Sequence, residues 1–534
     1  MKKTFIVFLV ILAFIGASSA SALLIKNNCS NKKSLIFSYT LTVDNEGDGD
    51  FFNIQNAIDA AEPGSTIMVY SGTFNQVSTI EINVPNLTII GLDYELGSGG
   101  DSGYPIIIGS SIDDVINISV DNTILSGFVI TNSGTDFLNF DAGVHIYSEN
   151  NMISSNYIIN NCYGICIINT SNNQIKNNDI ESNKMDGVFV YNSSDNEMFE
   201  NKIIDNGYQG IYLVYCQDNT ISDNVIKLNN KHGIHFFDFC TNNLIIDNTI
   251  SYNEINGIKL TGSENQGNII IYNSIHSNEW NGIQIQFSNF NHILENNISL
   301  NLNDGILIGD LADADGNVIT GNYISYNSKE GIRFGSECTD NMIYHNNFIG
   351  NNAFDKGSNI WDNGYPSGGN YWSFYSGEDI NDDGIIDTPY NIPGGDNQDR
   401  YPFVEPILPP LKPNRPVGTV VGEVGKEYTY STSTTDPNSD KIQYGWDWDG
   451  DKNIDEWTDF FDSGETCTVS HSWDEQGTYL IYVKAMDEHG GESEWSEPLV
   501  VTIPRNRVFY PIVLKILDNF QDKFQILHLQ IVDL

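Results

Sequence analysis

The sequence predicts an all-β fold of stacked coils followed by a small β-sandwich, on three observations. A glycine followed by Ile or Val recurs at Gly143, Gly164, Gly187, Gly210, Gly233, Gly257, Gly282, Gly305 and Gly331, at spacings of 21 to 26 residues. Within each unit three asparagines follow at intervals of five, as in Asn151, Asn156 and Asn161, or Asn243, Asn248 and Asn253. Ile, Met or Phe sits two residues after each of the first two. Polar breaks every five residues exclude amphipathic helices. They suit three short strands and three corners per coil, stacked at ~4.8 Å so that each coil bonds to the next. That is a right-handed parallel β-helix; the LxxLxL pattern of leucine-rich repeats is missing. In-register asparagines are expected to stack as amide ladders and to supply the left-handed backbone of tight corners.

In chain order, Lys2 and Lys3, an apolar run from Phe5 to Ile15 and Ala20-Ser21-Ala22 form a secretion signal over 1–22. The run is too short to span a bilayer, so the mature chain is expected outside the cytoplasm, secreted or at the cell surface, with no transmembrane span. Residues 41–375 form the solenoid; Phe52 to Gly64 reads as a short amphipathic helix and Ser65 to Phe74 as a strand, capping an end coil that otherwise exposes core and strand edges. Residues 376–404 are an acidic loop segment, 405–416 a Pro-rich linker, 417–504 a β-sandwich and 505–534 an amphipathic tail suited to docking on a partner or surface.

Composition narrows the function. Lys+Arg 25 against Asp+Glu 70 gives a net charge of −45, which excludes nucleic acid and favours cations. Seven cysteines without CxxC pairs signal neither a disulfide framework nor a zinc site. Cys216 and Cys240 fall at one small-residue corner of adjacent coils, as a disulfide or as stacked free thiols.

Strand alternation points the second residue after each glycine outward. His145, Cys166, Phe189, Tyr212, His235, Lys259, Gln284, Leu307 and Arg333 then share one face, joined by Tyr147, Tyr191 and Phe237. Such rings and polar groups form a platform for sugar rings, or simply stack to stabilise the solenoid. Cleavage of a polysaccharide needs paired carboxylates or an acid–base set. None of those outward residues is acidic, so an enzyme requires Lys259 or Arg333 as base and Asp304 or Glu330 as ligand; the Asp113-Asp114 pair reads as a turn.

Two stretches alternate oxygen side chains as calcium loops do. Asp379, Asn381 and Asp383 precede Gly384, with the Ile385 carbonyl and Asp387 completing the set. Asp447, Asp449, Asp451, Asn453 and Asp455 are the weaker set, because glycine falls at the fourth place.

Residues 41–404, with "DGDFFNIQNAIDAAEPGSTIMVYSGTF" and the Asn-rich coils, resemble the NosD-like, carbohydrate-binding and sugar-hydrolase class of β-helix proteins. "YGWDWDGD", "HSW" and "GTYLIYVKAMD" resemble a PKD-type module. The first resemblance implies the solenoid and a terminal calcium loop; it also raises copper maturation. Copper favours His, Cys and Met clusters. His232 and His235 are the one close His pair, and register separates them from Cys240, so copper ranks below glycan binding. The expected protein is a glycan-binding, adhesive or structural surface component stabilised by calcium, with a polysaccharide lyase or hydrolase as the alternative.

Overall fold

The computed structural model describes residues 39–504 apart from Ser98 and Leu311. The signal segment and the C-terminal tail lie outside the described residues. Three parallel sheets run the length of the solenoid. The first has fourteen strands, from Thr40–Val43 to Ser358–Ile360; the second has thirteen, from Thr73–Asn75 to Tyr371–Trp372; the third has twelve, from Ile80–Ile82 to Ala353–Asp355. Each Gly-Ile segment supplies a third-sheet strand, and the two Asn-x-Ile segments supply the other two.

Register is kept coil after coil, so like side chains stack. In the first sheet Ile153, Ile175, Met198, Ile221 and Ile245 form one inward column, and all are fully buried. The recurring glycines are required by packing rather than by φ. A Cβ on Gly210 would lie 2.6 Å from Ile226 Cγ2 and 2.7 Å from the Gly233 carbonyl oxygen, closer than any side chain tolerates.

The asparagines form three continuous ladders. Asn224 Nδ2 donates to Asn248 Oδ1 at 2.9 Å and to the Met198 carbonyl at 2.8 Å, while its Oδ1 accepts the Asn201 backbone N–H at 2.9 Å. The ladders therefore tie each corner to both neighbouring coils and satisfy buried backbone groups. Their expected role in left-handed corners is corrected. The residue with φ near +55° is the one before each ladder asparagine, among them Asn172, Glu200, Asp223, Leu228 and Tyr252. The ladder holds the corner so firmly that even Leu and Tyr adopt a conformation that L-residues avoid.

The ends are closed differently. At the N-terminal end the helix Ile54–Ala60, capped by Asn53 Oδ1 accepting from Asn56 N at 2.9 Å, buries Ile54, Ala57 and Ile58 against the first coils. The expected strand after it is broken into Thr66–Val69 and Thr73–Asn75, on two different sheets. At the C-terminal end two ladders finish on buried carboxylates: Asn359 Nδ2 donates to Asp355, and Asn370 Nδ2 to Asp399. Trp361 and Trp372 indole N–H groups donate to the same two acids, each at 2.8 Å. Beyond lie two small antiparallel sheets, of three and four strands, around a core that includes Tyr430, Tyr444, Trp446 and Trp473.

Candidate functional site

The outward column of the third sheet is in the expected register: Asn117, His145, Cys166, Phe189, Tyr212, His235, Lys259, Gln284, Leu307 and Arg333 pair in succession. Its exposure is corrected. His145, Cys166, Phe189, His235, Gln284 and Leu307 are buried, and only Tyr147, at 45% of its full accessibility, is open to solvent; Tyr191, Tyr212, Phe237, Lys259 and Arg333 are half-buried. Over the coils of Cys166 and Phe189 the cause is the non-repeating segment 133–141. Phe140 stacks on Phe189 with centroids 5.0 Å apart, and Tyr163 donates to the Phe137 carbonyl at 3.4 Å. Cys162, Tyr163, Cys166, Phe189 and Val214 thus make a second apolar cluster outside the coil. Rings that are packed on this scale stabilise the fold instead of offering a free face.

At the N-terminal end of this column an acid–base group assembles. His145 Nδ1 lies 3.0 Å from Asp114 Oδ2 and 3.1 Å from Tyr147 Oη, and His145 Nε2 is buried with no partner. Asp114, which the sequence placed in a turn, is drawn there because its Oδ1 accepts the Ala142 N–H at 2.7 Å. Burial and then Asp114 push the Tyr147 phenol up to about 12, and burial likewise raises Glu81 and Asp141 nearby.

The other end holds the residues considered for an enzyme. Arg333 Nε pairs with Asp304 Oδ2 at 3.0 Å, its Nη2 lies 3.5 Å from Glu330 Oε1, and its guanidinium covers Phe354. These three meet in one network; Lys259 sits three strands away, its pKa lowered by burial.

Between the two ends lie His232 and His235, rings 5.0 Å apart with their planes at 64°. Burial foremost lowers them to about 2 and about 3, so both are neutral. Cys240 points into the inner core, where its thiol donates to the Leu213 carbonyl at 3.5 Å. Cys216 does the same toward Val190, and both thiols are free.

The open aromatic surface is one corner further on. Tyr191, Tyr215 and Phe239 form a ring column with centroids 5.7 and 5.8 Å apart. Tyr215 and Phe239 are 41% and 46% exposed. Beside it is a shallow polar hollow of about 310 Å³ lined by Glu149, Asn169, Ser171, Asn192, Ser194 and Gln217. Tyr215 and Phe239 escaped the sequence reading because they are the left-handed corner residues, outside strand alternation.

Of the two acidic loops, the weaker set gathers its oxygens. Asp447, Asp449 and Asp455 each offer one within 4.8 Å of the others, and among the described residues no other three acidic, His or Cys side chains do so. That arrangement fits a hard, oxygen-seeking cation. In both loops the carboxylates also hold backbone: Asp379 accepts Gly384 N–H at 2.8 Å and Asp387 accepts Ile380 N–H at 2.7 Å in the first, and Asp447 accepts Gly450 N–H at 2.7 Å and Asp455 accepts Trp448 N–H at 2.8 Å in the second.

Fold and face together define a right-handed parallel β-helix protein. Residues 106–268 match the family described as "Right handed beta helix region", and residues 236–377 match "Periplasmic copper-binding protein (NosD)". No curated protein matches. Among solved structures, the PKD domain of an M14-like peptidase from Thermoplasmatales archaeon SCGC AB-540-F20 is 43% identical over 18% of this chain and 97% of that one, with a TM-score of 0.17. The Azotobacter vinelandii mannuronan C-5 epimerase AlgE6 A-module is 17% identical over 58% of this chain and 93% of that one, with a TM-score of 0.48. The periplasmic alginate epimerase AlgG (T265N mutant) is 17% identical over 58% and 83%, with a TM-score of 0.37.

Proposed function

We propose that this is a non-catalytic glycan-binding protein of the cell exterior or periplasm, stabilised by calcium and carrying a PKD-type C-terminal module. The observation that carries the reading is the exposed pair of rings Tyr215 and Phe239, continued by half-buried Tyr191, beside a hollow of hydroxyl and amide groups. Rings at coil spacing stack on sugar faces, and the neighbouring Asn, Gln and Ser side chains hydrogen-bond to ring hydroxyls. The signal-like N-terminus and the NosD match support the location; the "YGWDWDGD" and "HSW" motifs and the two antiparallel sheets that hold them support the module. Among the described residues no helix is long and apolar enough to cross a membrane.

A glycan array on the purified protein, repeated with Tyr215→Ala and Phe239→Ala, tests the site. Each substitution is expected to weaken binding about tenfold, as the loss of one stacked ring does; unchanged affinity sinks the proposal. Chelation is expected to lower the melting temperature. Asp449→Ala and Asp383→Ala then tell which loop holds the ion, and a melt insensitive to chelator refutes calcium.

A second reading, polysaccharide cleavage, rests on Asp114, His145 and Tyr147, with exposed Tyr147 as the group that meets substrate and buried His145 as its proton partner. New reducing ends or unsaturated products from acidic polysaccharides, lost in His145→Ala, would establish it in place of the first.

A further inference from the structure

Two stretches at the N-terminal end of the solenoid have no counterpart in the regular coils. Residues 44–51 leave the first strand, Thr40–Val43, and return to it: Asp44 N–H donates to the Phe51 carbonyl and Phe51 N–H to the Thr42 carbonyl, each at 3.0 Å. Residues 92–105 join Thr88–Gly91 to Ile106–Ile108, a corner for which the next coil needs only Gly127 and Phe128. The longer corner folds back on itself, with Gly103 N–H donating to the Asp93 carbonyl at 3.1 Å and Tyr94 packed edge-on to Tyr70. It thereby lays Glu95 on the first loop.

That loop reads Asp44-Asn45-Glu46-Gly47-Asp48-Gly49-Asp50, with an acid at every second place. Asp50 is held by its own strand, accepting from Thr42 N and Oγ1 at 3.0 and 2.8 Å. Asp44 is fully buried, and its Oδ1 accepts the N–H groups of Glu46 and Gly47, each at 2.8 Å. Glu95 Oε1 accepts the Leu96 N–H at 3.0 Å. The second oxygen of each carboxyl, Asp44 Oδ2 and Glu95 Oε2, is closed to solvent and meets no donor; the same holds for Asn45 Oδ1 on the same turn. Asp44 and Glu95 nevertheless touch, carboxyl to carboxyl. Glu46 and Asp48 crowd the same corner: a Cβ on Gly99 would lie 2.6 Å from Glu46 Oε2, and one on Gly97 would strike Asp48 Oδ2.

Two carboxylates in contact do not both stay ionised away from water unless something positive stands between them. None of the groups that act most strongly on Asp44 or Glu95 is basic. A proton or a cation must therefore fill the gap. A shared proton joins the two facing oxygens, but it leaves Asn45 Oδ1 without a donor and Glu46 acting on Glu95. A cation answers all of them at once. Carboxylate and amide oxygens on an irregular loop suit calcium, which gathers about six to eight oxygens in flexible geometry and completes its shell with carbonyls and water.

We propose that Asp44, Asn45 and Glu95 hold a calcium ion that pins the 92–105 corner to the first coil, with Glu46 and Asp48 adding to the negative field around it. The site shares no residue with the loops at 379–387 and 447–455. It closes the end of the solenoid where Thr40–Val43 is the edge strand of the first sheet.

Hydrogen exchange on the full chain at pH 8, in calcium and in chelator, reads the site. Amides of residues 44–51 and 92–105 are expected to exchange about tenfold more slowly with calcium at about ten times its dissociation constant. Glu95→Gln, whose amide can donate to Asp44, is expected to keep both segments protected without calcium and to abolish the response to it. Exchange at 379–387 and 447–455 is followed in the same samples, so a failure of those loops is told apart from a failure here. Protection of 44–51 and 92–105 that ignores calcium, or a full calcium response in Glu95→Gln, overturns the proposal. Calcium-independent protection that falls as pH rises would give the pair a shared proton instead.

Discussion

The asparagine ladders and the outer column of the third sheet are both polar arrays buried along the same axis, and they are built to opposite rules. In the ladders every amide finds donors and acceptors on the coils before and after it, as Asn224 does with Asn201, Asn248 and Met198. In the outer column His145 Nε2, His235 Nε2 and Asn117 Oδ1 are buried with no partner, as is Oε1 of Gln209 beside it. The ladders repeat because each rung needs the same residue above and below. The column changes residue at every coil, so its hydrogen bonds cannot close on themselves. A closed array specifies the fold; an open one leaves polar atoms available for something else.

Four substitutions sharpen that contrast. Asn224→Ala strands the Met198 carbonyl and the Asn201 amides, and is expected to cost about 3–5 kcal/mol in urea unfolding; a loss below 1 kcal/mol would make the ladders decorative. Gly210→Ala forces a methyl against Ile226 and the Gly233 carbonyl, with an expected cost of about 2–3 kcal/mol. Asp399 is a subtler case. Burial lifts it from 3.8 to about 7 against the hydrogen bonds of Trp372 and Asn370. Its folded pKa is above its unfolded one, so its contribution is full below about pH 4 and is lost as pH rises through about 7. Asp399→Asn should therefore flatten the stability profile between those limits, and an unchanged profile would show that Asp399 stays ionised. Smallest of all, His235→Leu in the open column is expected to stabilise by up to about 1 kcal/mol, since it removes an unpartnered buried nitrogen. A large loss would instead place His235 in a closed network.

The contrast also explains what was legible in the sequence. Period, strand alternation and ladder positions are local and repeated, so the coils and the order of the outer column follow from the chain alone. Burial of Cys166 and Phe189 does not, because it depends on Phe140 and Phe137 in a segment that occurs once. Asp114 was misread for the same reason: it reaches His145 across an irregular coil, 31 residues away in sequence. The exposed rings Tyr215 and Phe239 were hidden by a rule applied too widely, since alternation holds within strands and fails at the corners, where these two sit at positive φ. The contact of the His345 ring with the His489 carbonyl joins residues 144 apart through backbone, which leaves no trace in side-chain patterns.

The ladders also have a direction. Each amide nitrogen points to the next coil and each amide oxygen to the previous one, so any coil presents its neighbours with the same plug and the same socket. Only the last rungs differ, where Asp355 and Asp399 receive the final amides. The length of this protein is therefore an adjustable quantity while its terminus is not. Excising residues 210–232, one glycine to the next, would set Asn206 against Asn253 and leave every joint of the kind it had before. The outcome would be a shorter rod with the same two ends, with the Tyr215 ring lost and Tyr191 set one coil from Phe239.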